Sequence, residues 1–314
     1  MLDIQTPSGR WGALAAQVLG FLRQDVIALR CDGSDVRGFR SPDSPALWIR
    51  DHSDILRGGV YMEADVWSAV EAFANAQQRN GRVFDYVTTK PTATNRENWE
   101  TWMRVPVEAD VEYRFVKAAY LAWQASGDTA RLTSLLPALD AALTYTRTHP
   151  ERWDEQYGLV KRGFSMDTWD FDYTAGREPW LNFQIGEHTF WGIAHGDNSG
   201  FYEAAMLLAG MYARDGQRDP AVYWRAEAEG LRERANALLW NGAFYTHFHH
   251  LGPCPLEGVD EARQLSLSNP MAVNRGLTTP EMARALVDEY AARGREGKAF
   301  APWFSIDPPF PVGG

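Results

Sequence analysis

The chain has 314 residues, 45% of them apolar, and can therefore bury a sizeable core as one large domain or two small ones. Its 41 acidic side chains outnumber its 31 basic ones, and this net negative charge argues against a nucleic acid or an anionic membrane as partner. The two cysteines, Cys31 and Cys254, make no CxxC spacing, so the sequence suggests neither a disulfide framework nor a zinc knuckle.

The N-terminal segment lacks the cationic region and uninterrupted apolar core of an export signal, and no run approaches the roughly 20 apolar residues of a membrane span. A cytoplasmic location is therefore expected. The chain is rich in aromatic rings, with 13 tryptophans beside 12 tyrosines and 15 phenylalanines. This is more aromatic surface than a core of this size obviously requires.

Apolar residues recur at helical spacing through most of the chain. This spacing predicts early helices near 10–29, 51–62 and 65–79, and a late one near 279–292. Two pairs of apolar stripes are each joined by a short polar turn, "SGDT" or "RDGQRDP", which predicts two antiparallel helical hairpins. The stripes consist of Val111, Phe115, Ala118 and Ala122, then Leu132, Leu136, Leu139 and Leu143, then Phe201, Ala205, Leu208 and Tyr212, and finally Trp224, Ala228, Leu231, Ala235 and Leu238.

Strand signals are brief, at most "LVKRGF" and "GAFYTHFHH". With about eight or nine predicted helices and no alternating strand–helix pattern, the sequence excludes a doubly wound sheet and predicts an all-α fold. A single domain over residues 1–314 is the expected organisation.

Polar and aromatic side chains gather at three predicted helix starts, "ALWIRDHSD", "RVPVEADVEY" and "HGDNSGFYEA". Asp, Asn and Ser are preferred N-caps and acids suit the positive end of the helix dipole, so each of these residues has a structural explanation when taken alone. Capping does not explain the accompanying Trp48, Trp99, Trp102 and Trp169. If alternate helices point the same way, their N-terminal ends share one face, and an acidic hollow lined by aromatic rings would form there.

Such a hollow suits a neutral polyhydroxylated ligand, because sugar C–H faces lie on indole and phenol rings while carboxylates accept hydrogen bonds from hydroxyls. The reaction that paired carboxylates most often catalyse in such a hollow is glycoside hydrolysis. A protonated acid donates its proton to the leaving oxygen, and a second carboxylate activates water or attacks carbon. Burial against an aromatic ring is one way to keep the acid protonated near neutral pH. The segment "SMDTWDFDY" at 165–173 offers such a setting.

In chain order, "MDTWDFDY", "GDNSGFYEAAMLLAGMYARDG" and "AEAEGLRERANALLWNGAFYTHF" resemble the consecutive motifs of the six-hairpin glycosidases, and most of all those of the trehalase, processing glucosidase I and mannosylglycerate hydrolase group. "WIRDHSDIL", "VPVEADVEYRFVKAAYLAW" and "LSNPMAVNRGLTT" also resemble inner-helix starts of that superfamily. The resemblance covers residues 45–292. It implies an (α/α)6 toroid, a six-hairpin barrel, and a glycoside hydrolase that acts on a small α-linked glycoside or oligosaccharide with inversion.

The resemblance also implies roles within the acidic segment. Asp170 in "TWDF" matches the family's general acid, and Trp169 and Phe171 flank it as in the trehalase-like version. Asp167 is the competing choice, since "SMDTW" also fits the Gly-Met-Asp form of the motif. Asp172 is expected to accept a hydrogen bond from the substrate.

Further substrate-binding residues are expected at the helix starts. Arg50 and Asp51 match an Arg-Asp pair that holds sugar hydroxyls in many relatives, although Arg50 and Asp54 are also spaced to pair on a helix surface. The other candidates are the hydrogen-bonding residues Glu108, Asp110, Asp197 and Asn198, of which Asn198 is also a natural cap, and the stacking platforms Trp48, Trp102 and Trp169.

The C-terminal part departs from the family pattern. Six hairpins need twelve helices, and the family's catalytic base usually lies near the end of the barrel. Either the chain is a fragment, or the last hairpin is absent, or short elements escape the pattern. The base is therefore unassigned, with Asp51, Asp54 and Asp307 as fallback candidates.

Three other interpretations stay open. "HFHH" at 247–250 with Cys254 could mark a metal site, but no second ligand cluster accompanies it, so neither a metal nor a cofactor is predicted. An aldose epimerase on a similar barrel would use histidines, and His52, His188 and His195 lie near the motifs. The third is a carbohydrate-binding or inactive barrel protein, and the expected partner is again a carbohydrate.

Overall fold

The computed structural model describes residues 9–42, 44–91, 98–164, 185–187, 189–253, 258–296 and 306–309. These ranges contain nine α-helices and short strands that form two- or three-stranded sheets. Over the same ranges, every helix falls short of the length and apolar character needed to cross a membrane.

The chain divides into two compact units, each built from three segments. The first unit contains residues 1–104, 111–144 and 210–217, and the second contains residues 105–110, 145–209 and 218–314. The expected single domain over residues 1–314 stays a prediction.

The first unit holds two small antiparallel sheets. Its hairpin consists of β1 (Val26–Cys31) and β2 (Ser34–Phe39), and its three-stranded sheet consists of β3 (Ala46–Trp48), β4 (Tyr86–Pro91) and β5 (Asn98–Met103), in that order.

The predicted helix near 10–29 is too long, because α1 spans Gly9–Gln24. After it, Ile27, Leu29 and Cys31 are buried alternately, which is the period of a strand. Asp32 and Gly33 then turn the chain with φ angles of 49° and 78°, the left-handed conformation that an Asp-Gly pair adopts in a tight hairpin.

The predicted helices of the first unit are otherwise confirmed. They are α2 (Ile49–Gly59), α3 (Ser68–Ala76), α4 (Val111–Ser126) and α5 (Thr129–Thr148), of which α5 continues into the second unit. Every residue of the first two predicted stripes is at most 2% exposed, so the helical period identified the buried faces correctly.

The second unit holds the remaining helices, α6 (His195–Arg214), α7 (Arg218–Leu239), α8 (Ser268–Asn274) and α9 (Pro280–Glu296), of which α6 continues into the first unit. The predicted stripes of α6 and α7 are buried, with one correction: Leu239 is the buried leucine at the end of α7, and Leu238 is half-buried.

The prediction of at most two strands is wrong. In addition to the sheets of the first unit, the second unit holds β6 (Trp153–Asp154), β7 (Leu159–Val160), β8 (Arg162–Phe164), β9 (Phe190–Ala194), β10 (Phe248–His250), β11 (Leu265–Ser266) and β12 (Ile306–Asp307). Strands of two to six residues are too short for a period of two to stand out in the sequence. The sheets are small, and the fold class is all-α as predicted.

The beginnings of four helices share a bracing contact. In α2, α4, α6 and α8, a buried side chain near the N-terminus accepts a hydrogen bond from the backbone N–H of a buried residue earlier in the chain, at 2.8–3.2 Å. The pairs are Phe39 N with His52 Nδ1, Val83 N with Glu112 Oε1, Val160 N with Asn198 Oδ1, and Tyr245 N with Asn269 Oδ1. Since a buried N–H without an acceptor is costly, each contact anchors a helix start to the segment before it.

A glycine allows β9 and β10 to pair closely. A Cβ atom at Gly192 would lie 1.8 Å from the ring of Phe248 in β10. The ring therefore covers the backbone of β9 just before α6 begins, and any larger residue at Gly192 would displace it.

Candidate functional site

A buried guanidinium lies between two carboxylates in the second unit. The Nε of Arg162 is 2.8 Å from Oδ2 of Asp197, and its Nη2 is 3.6 Å from Oε2 of Glu108. None of the three side chains is more than 6% exposed. The structure thus brings together Glu108 and Asp197, two residues predicted from different helix starts, through an arginine that the sequence analysis did not single out.

Local packing holds the segment 105–110 beside β8. A Cβ atom at Gly163 would lie 3.2 Å from Cγ1 of Val107 and 2.9 Å from Cγ2 of Thr189, so a side chain here would force these neighbours to shift. On the other side, Nη2 of the buried Arg152 donates to the backbone oxygen of Pro106 at 2.6 Å. The position of Glu108 therefore follows from backbone packing as well as from its ion pair.

The N-terminal ends of α6 and α8 lie side by side. A Cβ atom at Gly196 would be 3.1 Å from Oγ of Ser268, the first residue of α8. After the other end of α8, Nη1 of Arg275 donates to Oγ of Ser199 at 2.9 Å, and its Nε lies 3.7 Å from Oε2 of Glu203. Nη1 of Arg275 also donates to the backbone oxygen of Gly196 at 3.0 Å, so the start of α6 lies beside both ends of α8. That alternate helices run parallel stays a prediction.

A polar network joins these two helix starts. Nε2 of the fully buried His195 lies 2.9 Å from Oγ of Ser266, and its ring stacks on Tyr245 with the centroids 5.5 Å apart. Asn269 donates to Oγ of Ser266 at 3.4 Å and to the backbone oxygen of Tyr245 at 3.1 Å. The network holds the N-terminus of α6, where Asp197 lies, in a defined position.

In the first unit, the predicted pair Arg50 and Asp51 occupies the first turn of α2. Oδ1 of Asp51 accepts a hydrogen bond from Oγ of Ser41 at 2.8 Å. The ring of Trp48 packs against that of Tyr86 with the centroids 4.0 Å apart, and both rings are partly exposed. The pair of rings is therefore suited to contact a sugar face, next in sequence to Arg50 and Asp51.

Trp102 points to the opposite face of the same sheet. Trp48 pairs with Tyr86, whereas Trp102 pairs with Val87, one residue further along β4. Successive side chains of a strand point to opposite faces, so the two tryptophans cannot face one ligand across this sheet. Trp102 instead packs against Phe73, with the ring centroids 5.6 Å apart.

Asn198 and Asp110 are both buried in the second unit. The Asn198 amide donates to the backbone oxygens of Val160 and Ala194 at 3.0 and 2.9 Å, in addition to the bond that it accepts from the N–H of Val160. These contacts give Asn198 a structural role, and its binding role stays a prediction, as does that of Asp110.

The fallback candidates for the base each have a partner. Asp54 pairs with Arg114, and Oδ2 of Asp307 lies 3.3 Å from Nη1 of Arg293. Both carboxylates are about two-fifths exposed. The role of either carboxylate as the base stays a prediction.

The predicted residues of the acidic segment, Asp167, Trp169, Asp170 and Asp172, lie outside the described residues, as do His188 and Cys254. Their roles stay predictions.

Two of the histidines considered for an epimerase or a metal site, His52 and His250, are buried or paired. His52 is fully buried, and burial lowers its pKa to about 4, so that it is neutral at pH 7. In β10, Nε2 of His250 lies 2.5 Å from Oε2 of Glu261. Within the described ranges, no group of three or more His, Cys, Asp or Glu side chains is placed to hold a metal ion.

Among the described residues, the sequence alone did not identify four buried charges, those of Asp85, Glu112, Arg152 and Arg162. Arg162 lies in "LVKRGF", and Asp85, which is 3% exposed, lies in "VFDYV". A charged residue inside a short apolar run was the available signal, because such a residue is rarely buried unless it has a partner.

No family model matches the sequence, and no curated protein matches it. Solved structures are similar in fold. The chain is similar to the GH63 mannosylglycerate hydrolase from Thermus thermophilus in complex with Tris, at 16% identity and a TM-score of 0.62, over 94% of this chain and 80% of the hydrolase. The chain is also similar to the same hydrolase in complex with glucose, at 16% identity and a TM-score of 0.60, over 93% of this chain and 79% of the hydrolase. A GH78 rhamnosidase from Bacillus is similar at 16% identity and a TM-score of 0.56, over 81% of this chain and 24% of the rhamnosidase.

The chain therefore has the (α/α)6 fold of the six-hairpin glycosidases, as its motifs predicted. Chemically, the second unit offers two carboxylates that a guanidinium stabilises in their ionised form. Ionised carboxylates accept hydrogen bonds from hydroxyl groups and stabilise positive charge.

Proposed function

We propose that the chain is a glycoside hydrolase that acts on a small α-linked glycoside or oligosaccharide with inversion of configuration. The observation that carries the proposal is the similarity in fold to a hydrolase of a small glycoside over 94% of the chain. Fold alone does not define an activity, so the proposal also depends on the residues at the helix starts.

The ion cluster of Arg162, Glu108 and Asp197 supports a polar, uncharged substrate. A guanidinium next to a carboxylate keeps it ionised, and an ionised carboxylate is only an acceptor. Sugar hydroxyls are donors that match such oxygens. Separately, in the first unit, the rings of Trp48 and Tyr86 offer the kind of surface that a sugar C–H face contacts.

In the proposed reaction, Asp170 protonates the glycosidic oxygen as the bond from that oxygen to the anomeric carbon breaks. Asp167 is the alternative acid. A second carboxylate takes a proton from water, and the water oxygen bonds to the anomeric carbon from the opposite face. The two carboxyl groups of an inverting enzyme lie about 6.5–9.5 Å apart to admit that water. The base is unassigned in this chain.

Hydrolysis of a glycoside panel tests the proposal. The panel contains α-linked glucosides and mannosides, short disaccharides, mannosylglycerate and a rhamnoside, and release of reducing sugar is measured for the wild type and for the Asp170→Asn variant. We expect the wild type to hydrolyse at least one compound and Asp170→Asn to lose about 10²-fold or more in kcat, because it cannot supply the proton.

Asp167→Asn is the matched control, since it removes a carboxyl group three residues away in the same segment. A loss confined to Asp167→Asn would transfer the role of acid to Asp167. If the folded wild type hydrolyses nothing on the panel, the proposal fails. Calorimetric titration with the same sugars then shows whether the chain only binds carbohydrate.

A further inference from the structure

We infer that Arg162 is a positioning residue that sets the separation and the ionisation of the Glu108 and Asp197 carboxylates. The inference rests on the proposed function for the ligand that these carboxylates would hold. Arg162 itself lies in β8, and its two partners come from the segment 105–110 and from the first turn of α6.

The contact depends on the shape of the guanidinium. Nε lies 2.8 Å from Asp197 and Nη2 lies 3.6 Å from Glu108, so different nitrogens of one rigid planar group are nearest to the two carboxylates. The relative placement of two oxygens from separate segments is thereby fixed by one side chain. A lysine carries the same charge on a single nitrogen and lacks this fork, so it keeps the charge balance but not the geometry.

Burial makes the arginine necessary for the charges as well. With the side chains at most 6% exposed, little bulk water surrounds the two carboxylates to compensate for the loss of the guanidinium. Removing one positive charge beside two carboxylates in this poorly solvated site favours their protonated forms relative to the wild type. The folded state of the variant therefore binds protons more readily than the folded wild type, and the stability that it loses relative to the wild type increases as pH rises.

Arg152 provides a matched control in the same unit. It is 1% exposed, and in the part of the chain that the structure describes its hydrogen bonds reach the backbone oxygens of Glu151 and Pro106. Backbone oxygens do not titrate in this pH range. Loss of Arg152 therefore lowers stability without adding a carboxylate whose protonation could restore it.

The first experiment compares melting temperatures between pH 5 and pH 8 for the wild type, Arg162→Met and Arg152→Met. We expect Arg162→Met to melt about 5 °C or more below the wild type at pH 8, with a difference that narrows towards pH 5. Arg152→Met should show a difference that does not depend on pH. Asp110 and His195, the nearby titratable groups along the chain, are present in all three proteins. A constant difference for Arg162→Met would overturn the inference.

Two further variants serve if Arg162→Met does not fold. Arg162→Lys keeps the positive charge, and the double variant Arg162→Met with Asp197→Asn leaves one carboxylate in place of two. Relative to the wild type, we expect the pH dependence of the melting temperature to be nearly absent in Arg162→Lys and present in the double variant, which keeps the Glu108 carboxylate but lacks the positive charge of Arg162. A pH dependence in Arg162→Lys as steep as that of the double variant would contradict the proposed ionisation.

Kinetics separate positioning from a merely structural role. With any substrate that the wild type hydrolyses, we expect Arg162→Lys to lose about tenfold or more in kcat even where its melting temperature is close to that of the wild type.

Guanidinium at roughly 50 mM, well below denaturing concentrations, should restore part of the activity of Arg162→Ala, whereas sodium chloride at equal ionic strength should not. An unchanged kcat in Arg162→Lys would overturn the positioning role. If the wild type hydrolyses nothing, the proposed function fails, and the melting profiles alone decide whether Arg162 controls the two carboxylates.

Discussion

At the residue scale, several polar side chains that look functional in the sequence serve the backbone in the structure. His52 is next to Asp51 in a helix-start motif, yet it is fully buried and its Nδ1 accepts the N–H of Phe39 at 3.2 Å. Burial lowers the pKa of His52 to about 4, and the nearby Asp65 carboxylate opposes that shift only in part. His52 therefore contributes to stability in its neutral form.

Acid should weaken the fold through His52. Its pKa is about 4 when folded and about 6.5 when unfolded, so the unfolded state binds more protons between these values and stability decreases as pH falls through 6.5 towards 4. The full effect is about 3 kcal/mol. His52→Asn keeps an acceptor for Phe39 N but does not titrate, and we expect its free energy of unfolding to fall less between pH 7 and pH 4. If urea unfolding shows that the free energies of unfolding of the wild type and of His52→Asn fall equally between pH 7 and pH 4, His52 does not cause the loss of stability in acid.

At the element scale, the helix starts combine apolar burial with one bracing hydrogen bond each. In α2, α4, α6 and α8, the apolar stripe decides which face of the helix is buried, and the bracing bond links the helix start to a buried residue earlier in the chain. Asn198 is the fullest example, because its side chain bonds both the N–H and the backbone oxygen of Val160 and also the backbone oxygen of Ala194.

Removing this amide should be costly. We expect Asn198→Ala to lower the free energy of unfolding by about 3 kcal/mol, since buried backbone groups lose their partners. Asn198→Asp should also destabilise, because its carboxylate can accept from Val160 but cannot donate to the two backbone oxygens. Asn80→Ala is the control: Asn80 is exposed and accepts only the N–H of Arg82 among the described residues, so about 0.5 kcal/mol or less is expected. Equal losses for Asn198→Ala and Asn80→Ala in urea unfolding would contradict the bracing role.

At the scale of the whole molecule, net charge and fold limit the partners. The formal net charge is −10, and the fold is shared with glycosidases at 16% identity. An excess of negative charge repels polyanions over the Debye length, about 10 Å at 0.1 M salt.

We therefore expect no binding to nucleic acid. Fluorescence anisotropy of labelled single- and double-stranded oligonucleotides should stay unchanged in 50 mM salt at micromolar protein. Low salt favours any binding through phosphate contacts, so it is the most sensitive condition for the test. Saturable binding that weakens with salt would contradict this prediction.

The sequence by itself determined the helical faces and the order of the motifs. Leu132, Leu136 and Phe115 are buried as the 3.6-residue period requires, because that period is a local property of the chain. The order of the motifs was sufficient to identify the fold, because each motif is a short contiguous stretch and is therefore also a local property of the chain. Glu108 and Asp197 were identified as substrate-binding candidates from their places before or within a helix start.

Only the tertiary structure decided which of these residues meet. Arg162 is 35 residues from Asp197 and 54 from Glu108 in the sequence, and no periodicity connects positions so far apart. The register of β4 with β3 and β5 likewise placed Trp48 and Trp102 on opposite faces, since pairing one residue further along reverses the direction of a side chain. Helical period depends on neighbours within a few residues, whereas these contacts depend on packing between distant segments.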